Sequence, residues 1–244
     1  YDLAVLEARL VEHRPKVFFT QPRLQSPTGS TATLTQLHRV LQLCEKFDVT
    51  VVENDIYADL DPEPRASLAS LDQLRRVLYI GSYSKTISPN LRVGWIVAQP
   101  DLVEDLGQLK MVAGLTSSEL NERLAHGALT DSRWRRHLKG LRERLSKAQR
   151  QVAQRLADLG FELFCEPGAG MYLWARHPAM ADSAEVSNRA AASDIMLGPG
   201  HLFLPDLQPT GWLRFNVAFC GDERLYAFLE TVCGRAPADR SQPR

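Results

Sequence analysis

Four short apolar runs constrain the fold most: "KVFFT" (16–20), "TVVEND" (50–55), "RVLYIGS" (76–82) and "RVGWIVA" (92–98). They read as continuous apolar segments rather than strict alternations, the pattern of strands in a largely parallel sheet. Helical patterns lie between them. Residues 3–13 are amphipathic, and Thr33 with Gln36 spells a capping box ahead of "LHRVLQLCEKF", whose apolar positions are Leu37, Val40, Leu41 and Leu43. Strands alternating with helices predict an α/β class with a largely parallel sheet.

Beyond residue 100 the pattern becomes helical. "DLVEDLGQLKMVA" and "SSELNERLAHGAL" precede a long helix expected over about 132–159. Its apolar residues, Trp134, Leu138, Leu141, Leu145, Ala148, Val152, Leu156 and Leu159, step by three and four into one stripe, and Gly160 suits a C-cap. "FELFCEP", "MYLWARH", a helix near 184–194, "IMLG", "WLRFNVAFC" and "DERLYAFLETVC" then alternate as a smaller α+β unit. The expected division is a large domain over 1–130, and the long helix with a small C-terminal domain over 131–244. The polar tail "APADRSQPR" closes the chain.

Composition narrows the function classes. Lys plus Arg and Asp plus Glu number 29 each, so the chain as a whole lacks the basic excess of a nucleic-acid binder. The long helix does carry Arg133, Arg135, Arg136, Lys139, Arg142, Arg144, Lys147, Arg150 and Arg155. No aromatics interleave and the opposite face is a core stripe, so this reads as a solvated face rather than a phosphate track. No run is long and apolar enough to span a bilayer. Cys44, Cys165, Cys220 and Cys233 are scattered without a C-x-x-C pair, which disfavours a zinc site or disulfide framework and fits a reducing cytoplasm.

The chemistry concentrates in "GSYSKTISPNLRVGW" (81–95). A phosphate loop of the nucleotide-binding kind needs glycine directly before the lysine, and Ser84 stands there. The alternative is a Schiff-base lysine: an amine on a rigid strand end, desolvated enough for its neutral form to be reached. Lys85 fits that need, and Ser82, Ser84 and Arg92 offer hydroxyls and a guanidinium for a cofactor phosphate.

"SYSKTISPNLRVGW" resembles the lysine motif of fold-type-I, pyridoxal-5′-phosphate-dependent aminotransferases of class I/II. "QSPTG" (25–29) resembles that family's N-P-T-G turn, "VVENDIY" (51–57) its aspartate-and-tyrosine strand, and "PGAGMYLW" (167–174) and "WLRFNVAF" (212–219) its C-terminal landmarks. The resemblance implies that Lys85 forms the internal aldimine with pyridoxal 5′-phosphate and shuttles a proton. It further implies that Ser82, Ser84 and Arg92 bind the phosphate, that Tyr57 donates to the cofactor's phenolic oxygen, and that Arg214 clamps a substrate carboxylate. The partners implied are an amino-acid-type small molecule and a second subunit in a homodimer. "GPGHLFLPDLQP" (198–209) is expected to cover the site.

Two positions depart from the family pattern. The partner of the pyridine nitrogen is normally an aspartate three residues before the tyrosine; here that place is Asn54, with Asp55 next to it. Adjacent strand residues face opposite ways, so only one of the two can face the ring without a bulge. Spacing leans towards Asn54, and Asp55 stays a candidate. Ser26 replaces the asparagine of N-P-T-G, where it would meet the phenolic oxygen or the substrate carboxylate. The family's glycine-rich phosphate cup and ring-stacking aromatic lie N-terminal to the part seen here, so the chain is expected to begin in mid-domain.

"NDIYADL" and "LTSSELNERLAHGAL" resemble the aminotransferase-like domains of MocR regulators, in which a GntR-type winged helix-turn-helix precedes the domain. DNA would be contacted only through such a winged helix, which these residues do not include. Two functions are thereby expected: an aminotransferase acting on an amino acid or related amino compound, or a ligand-sensing domain of a regulator with little turnover. A dimerisation scaffold without cofactor would have no use for Lys85, Ser82, Arg92 and Arg214.

Overall fold

The computed structural model describes residues 1–234; the tail "APADRSQPR" lies outside them. The chain divides into two compact units, one comprising residues 1–25 and 30–142, the other 26–29 and 143 onward.

The first unit holds β1 (Val17–Thr20), β2 (Thr50–Asn54), β3 (Val77–Ser82) and β4 (Gly94–Val97), in that order across one sheet. β1, β2 and β3 are parallel, and β4 runs antiparallel to β3. The parallel connections pass through α2 (Leu34–Lys46) and α3 (Leu68–Asp72), while α1 (Leu3–His13) precedes β1. The expected capping box forms: Gln36 N donates to Thr33 Oγ1 at 3.2 Å, and Thr33 N to Gln36 Oε1 at 2.9 Å.

Register assigns the two faces of this sheet. Val51 and Glu53 of β2 stand opposite Val77 and Tyr79 of β3. On that face Val51 and Val77 pack with Leu10, Leu37, Val40, Leu43 and Leu68, all fully or nearly fully buried. Each such side chain contributes about 1.5–3 kcal/mol. Asn54 pairs with Ile80, and Ser82 is two residues on, so pleating puts both on the other face. That face also carries Phe19, 72% exposed, and Ile96, 46% exposed. After β4 come α4 (Pro100–Gly114) and α5 (Glu119–Thr130).

The long helix α6 (Trp134–Asp158) begins in the first unit and continues into the second. The expected stripe buries Leu145, Val152 and Leu156, and Gly160 takes φ +92 after the last turn. Gln149 is buried among these apolar residues. Its Nε2 donates to Ala169 O at 2.8 Å and lies 3.3 and 3.4 Å from Gly170 O and Tyr172 O, so the helix holds the chain entering the next strand.

The second unit is built on an antiparallel sheet ordered β5 (Glu162–Leu163), β6 (Tyr172–Arg176), β8 (Trp212–Asn216), β7 (Gly198–Pro199). α7 (Ser183–Ala191) and α8 (Glu223–Val232) complete it. The apolar runs "FELFCEP" and "IMLG" predict fuller strands than the two-residue edges that form: β5 pairs with β6, and β7 falls at Gly198–Pro199, with only Gly198 inside "IMLG".

Candidate cofactor site

In open α/β sheets ligands bind beyond the carboxyl ends of the strands, and the predicted cofactor residues of the first unit lie there. β3 ends at Ser82 because its hydroxyl closes a turn: Ser84 N donates to Ser82 Oγ at 3.1 Å. Ser82 Oγ also lies 3.0 Å from Ser84 Oγ and 3.2 Å from the Val93 carbonyl. Tyr83 N donates to that same carbonyl at 3.1 Å, which brings the residue after Arg92 against the serine turn. Thr86 N and Ile87 N then close on Tyr83 O at 3.2 and 2.9 Å, so Lys85 sits in one tight turn.

The turn is braced from β4. A Cβ on Gly81 would meet the Trp95 ring at 2.2 Å, so only glycine lets the indole lie there. Trp95 packs in turn on Tyr83, with centroids 4.5 Å apart.

Lys85 is half-buried and its Nζ stands 5.9 Å from the centre of the Tyr57 ring. Among the described residues the amine has neither an ion pair nor a hydrogen bond. Tyr57 is buried, on a turn in which Leu60 N donates to Tyr57 O at 2.8 Å. Arg92 is exposed, in left-handed backbone at φ 53, and its Nη1 donates to Pro89 O at 3.3 Å. It has no carboxylate partner among the described residues.

The two candidates for the ring nitrogen differ in surroundings. Asp55 is buried, with Oδ1 3.3 Å from Arg23 Nε in an ion pair and Oδ2 accepting from the Tyr79 hydroxyl at 3.2 Å. Burial pushes its carboxyl up to about 6, against the opposing pull of Arg23. Asn54 is half-buried at the end of β2, and its Oδ1 accepts from Ile56 N at 3.4 Å. Glu53 is fully buried on the Tyr79 face and accepts from Leu68 N and Ala69 N at 2.9 and 2.8 Å, tying β2 to the start of α3. Burial pushes Glu53 up to about 6 as well.

In the second unit Arg214 of β8 and Ser26 come together: Arg214 Nη1 donates to Ser26 Oγ at 3.0 Å. The guanidinium lies between two rings, 4.4 Å from the centre of Tyr172 and 4.7 Å from that of Phe203. It has no carboxylate partner among the described residues, and it lines a cavity of about 610 Å³ with Met196, Leu202, Phe203 and Phe219. Gly198 and Phe203 bring the expected 198–209 segment against Arg214. Gly29 is required beside it: at φ +74, a Cβ there would meet Tyr172 O at 2.7 Å.

Sequence reading missed Arg23, Glu53 and Tyr79. Glu53 lies inside an otherwise apolar strand, and that was a usable signal for a satisfied buried charge. Nothing in "QPRLQ" marks Arg23 as the counter-ion of Asp55, since that contact joins residues 32 apart in a fold the sequence does not spell out.

The family profile described as "Aminotransferase class I and II" matches residues 1–232. The chain belongs to the class I and II aminotransferase family. Two curated relatives illustrate its breadth. A 2-aminoadipate transaminase of Thermus thermophilus is 32% identical over 232 residues, covering 89% of this chain and 56% of the relative. The HTH-type transcriptional regulator NorG of Staphylococcus aureus is 27% identical over 237 residues, covering 92% and 52%. This aminotransferase-family chain therefore spans about half the length of the curated relatives it matches. Among solved structures, LysN, the α-aminoadipate aminotransferase of Thermus thermophilus complexed with N-(5′-phosphopyridoxyl)-L-leucine, superposes with a TM-score of 0.86 at 29% identity. That match covers 96% of this chain and 63% of LysN. The fold is thus the fold-type-I α/β architecture of these aminotransferases.

Proposed function

We propose that this aminotransferase-family domain binds pyridoxal 5′-phosphate at the ends of β2 and β3 and uses it on an amino acid or related amino compound. One observation carries the reading: the unpartnered Lys85 amine over the Tyr57 ring, in a turn whose serine hydroxyls lie 3.0 Å apart. Pyridoxal phosphate supplies an aldehyde that condenses with amines and a ring that withdraws electrons. The donor set fits it. Ser82, Ser84 and Arg92 match a phosphate, and the amine of Lys85 has no competing carboxylate. Tyr57 would hold the phenolic oxygen. Lys85 would take up the proton leaving the substrate's α-carbon and return it. Arg214, held flat between Tyr172 and Phe203, would fork onto a carboxylate with Ser26 orienting it.

Loading the protein with pyridoxal phosphate tests this. The parent should gain the visible absorption of a lysine-bound cofactor, and Lys85→Ala should lose it. A parent without that band overturns the reading.

A second reading, a sensing domain of a transcriptional regulator with little turnover, is favoured by one observation. Asp55 is already engaged by Arg23 and Tyr79, leaving the uncharged Asn54 on the Ser82 face. An amide cannot hold a proton on a pyridine nitrogen as a carboxylate does. Sustained transamination across a panel of amino acids separates the two: many turnovers per subunit support the enzyme, a single half-reaction the sensor.

A homodimer accompanies either reading. Val112 and Leu115, 87% and 79% exposed near the end of α4, and Phe19 on the sheet form apolar surface of the kind that partners cover. Equilibrium sedimentation checks it. No helix among the described residues is long and apolar enough to cross a membrane.

A further inference from the structure

Pairing between β2 and β3 fixes the strands but not the loops beyond their carboxyl ends. The last ladder contact is Asp55 N donating to Ile80 O at 2.9 Å. Beyond it Tyr57 and Lys85 stand on separate loops, and among the described residues no main-chain hydrogen bond joins 56–61 to 83–88. Their spacing must come from elsewhere.

We propose that His137 and Arg142 are positioning residues that set it. This inference rests on the cofactor reading above. Both stand on the first turns of α6, and each bonds to a main-chain carbonyl of one loop. His137 Nε2 lies 2.7 Å from Thr86 O, the residue after Lys85. A carbonyl only accepts, so Nε2 carries the proton. Arg142 Nε donates to Asp59 O at 2.8 Å, two residues after Tyr57. The His137 ring is itself fixed by stacking on Trp134, with centroids 5.5 Å apart and planes 25° from parallel.

Five residues of α-helix rise about 7.5 Å and resist stretching, so the helix acts as a rigid gauge between the two loops. Removing either donor frees one loop tip and lets the amine drift from the Tyr57 ring. The cofactor would then be held less tightly, and the proton affinity of the Lys85 nitrogen in the loaded protein would change with its surroundings. Neither side chain touches the cofactor in this scheme.

The test uses pyridoxal phosphate as the probe, with three variants. His137→Phe keeps a ring against Trp134 and removes the donor. His137→Gln keeps a donor. Arg142→Met keeps the stem and removes the guanidinium. Cofactor affinity, the pH midpoint of the visible band and the thermal midpoint of the cofactor-free protein are measured for each. Losing the donor in His137→Phe or Arg142→Met should weaken affinity about tenfold and move the pH midpoint. His137→Gln should stay near the parent, and the thermal midpoints should stay close. If His137→Gln behaves as His137→Phe, if neither donor-less variant changes affinity or the band, or if every loss tracks the thermal midpoint, the inference is overturned. A parent that never acquires the band overturns the function proposed above, and this inference with it.

Discussion

Asp55 and Arg23 form a buried ion pair with Oδ1 and Nε 3.3 Å apart, and the Tyr79 hydroxyl completes it at 3.2 Å. Tyr79 stands opposite Glu53 in the register, so this cluster belongs to the sheet face that packs on α1, α2 and α3. Asn54 alternates to the other face. Two neighbouring residues thus differ in surroundings, one engaged in the core and one half-buried on the opposite face.

Asp55→Asn should therefore cost stability, because it strands the Arg23 charge in a buried place. Breaking such a pair costs up to about 3–5 kcal/mol, offset in part here because the variant also removes the burial penalty on the Asp55 carboxylate. Asn54→Asp should leave stability within about 1 kcal/mol and act on the cofactor's visible band instead. Urea unfolding checks the first statement, and absorption titration of the loaded protein the second. Equal destabilisation by both variants would sink this division of labour.

Glu53 and Asp55 titrate near 6 in the folded chain, pushed up by burial, against about 4 for free carboxyls. The folded state then binds their protons more tightly than the unfolded one. Their favourable contribution is full below about 4 and is lost as pH rises through about 6. Glu53→Gln removes one of these titrations. The stability of the parent minus that of Glu53→Gln should thus fall from pH 5 to pH 7.5, as read by urea midpoints. A difference that is flat, or that rises, contradicts the assignment.

Gly81→Ala places a Cβ 2.2 Å from the Trp95 ring in a braced sheet. The indole has to move, and Tyr83 with it, at a cost of about 1–3 kcal/mol. The same shift disturbs the turn that carries Lys85, so cofactor affinity should fall together with the thermal midpoint. Near-parental values of both would show that the indole yields freely.

Arg214→Lys keeps a charge but loses the planar fork that lies between Tyr172 and Phe203. Affinity for a carboxylate-bearing amino acid should drop about 10- to 100-fold, the range of a lost charge-assisted bond. Cofactor uptake should be unchanged, because that site is assigned to other residues. Calorimetric titration of the loaded protein with an amino acid checks this, and undiminished affinity would remove Arg214 from the substrate role.

The sequence by itself determined the elements and the family. Apolar runs at 16–20, 50–55 and 76–82 divided by capped helices point to a parallel sheet, because parallel neighbours need a crossover long enough to hold a helix between them. The motif around Lys85 was legible because its residues are neighbours in the chain, and a turn built from Ser82, Ser84 and Gly81 is local chemistry. What the tertiary structure decided was every relationship between residues far apart. Spacing leans towards Asn54 but leaves Asp55 a candidate, and it is the Arg23 and Tyr79 contacts of Asp55 that set the two apart. Ser26 and Arg214 lie 188 residues apart and meet at 3.0 Å. His137 and Arg142 look like any solvated basic helix until Thr86 and Asp59 are found beneath them. Pattern and propensity act over a few residues, whereas burial and ion pairing act through space, so the first were readable and the second had to be seen.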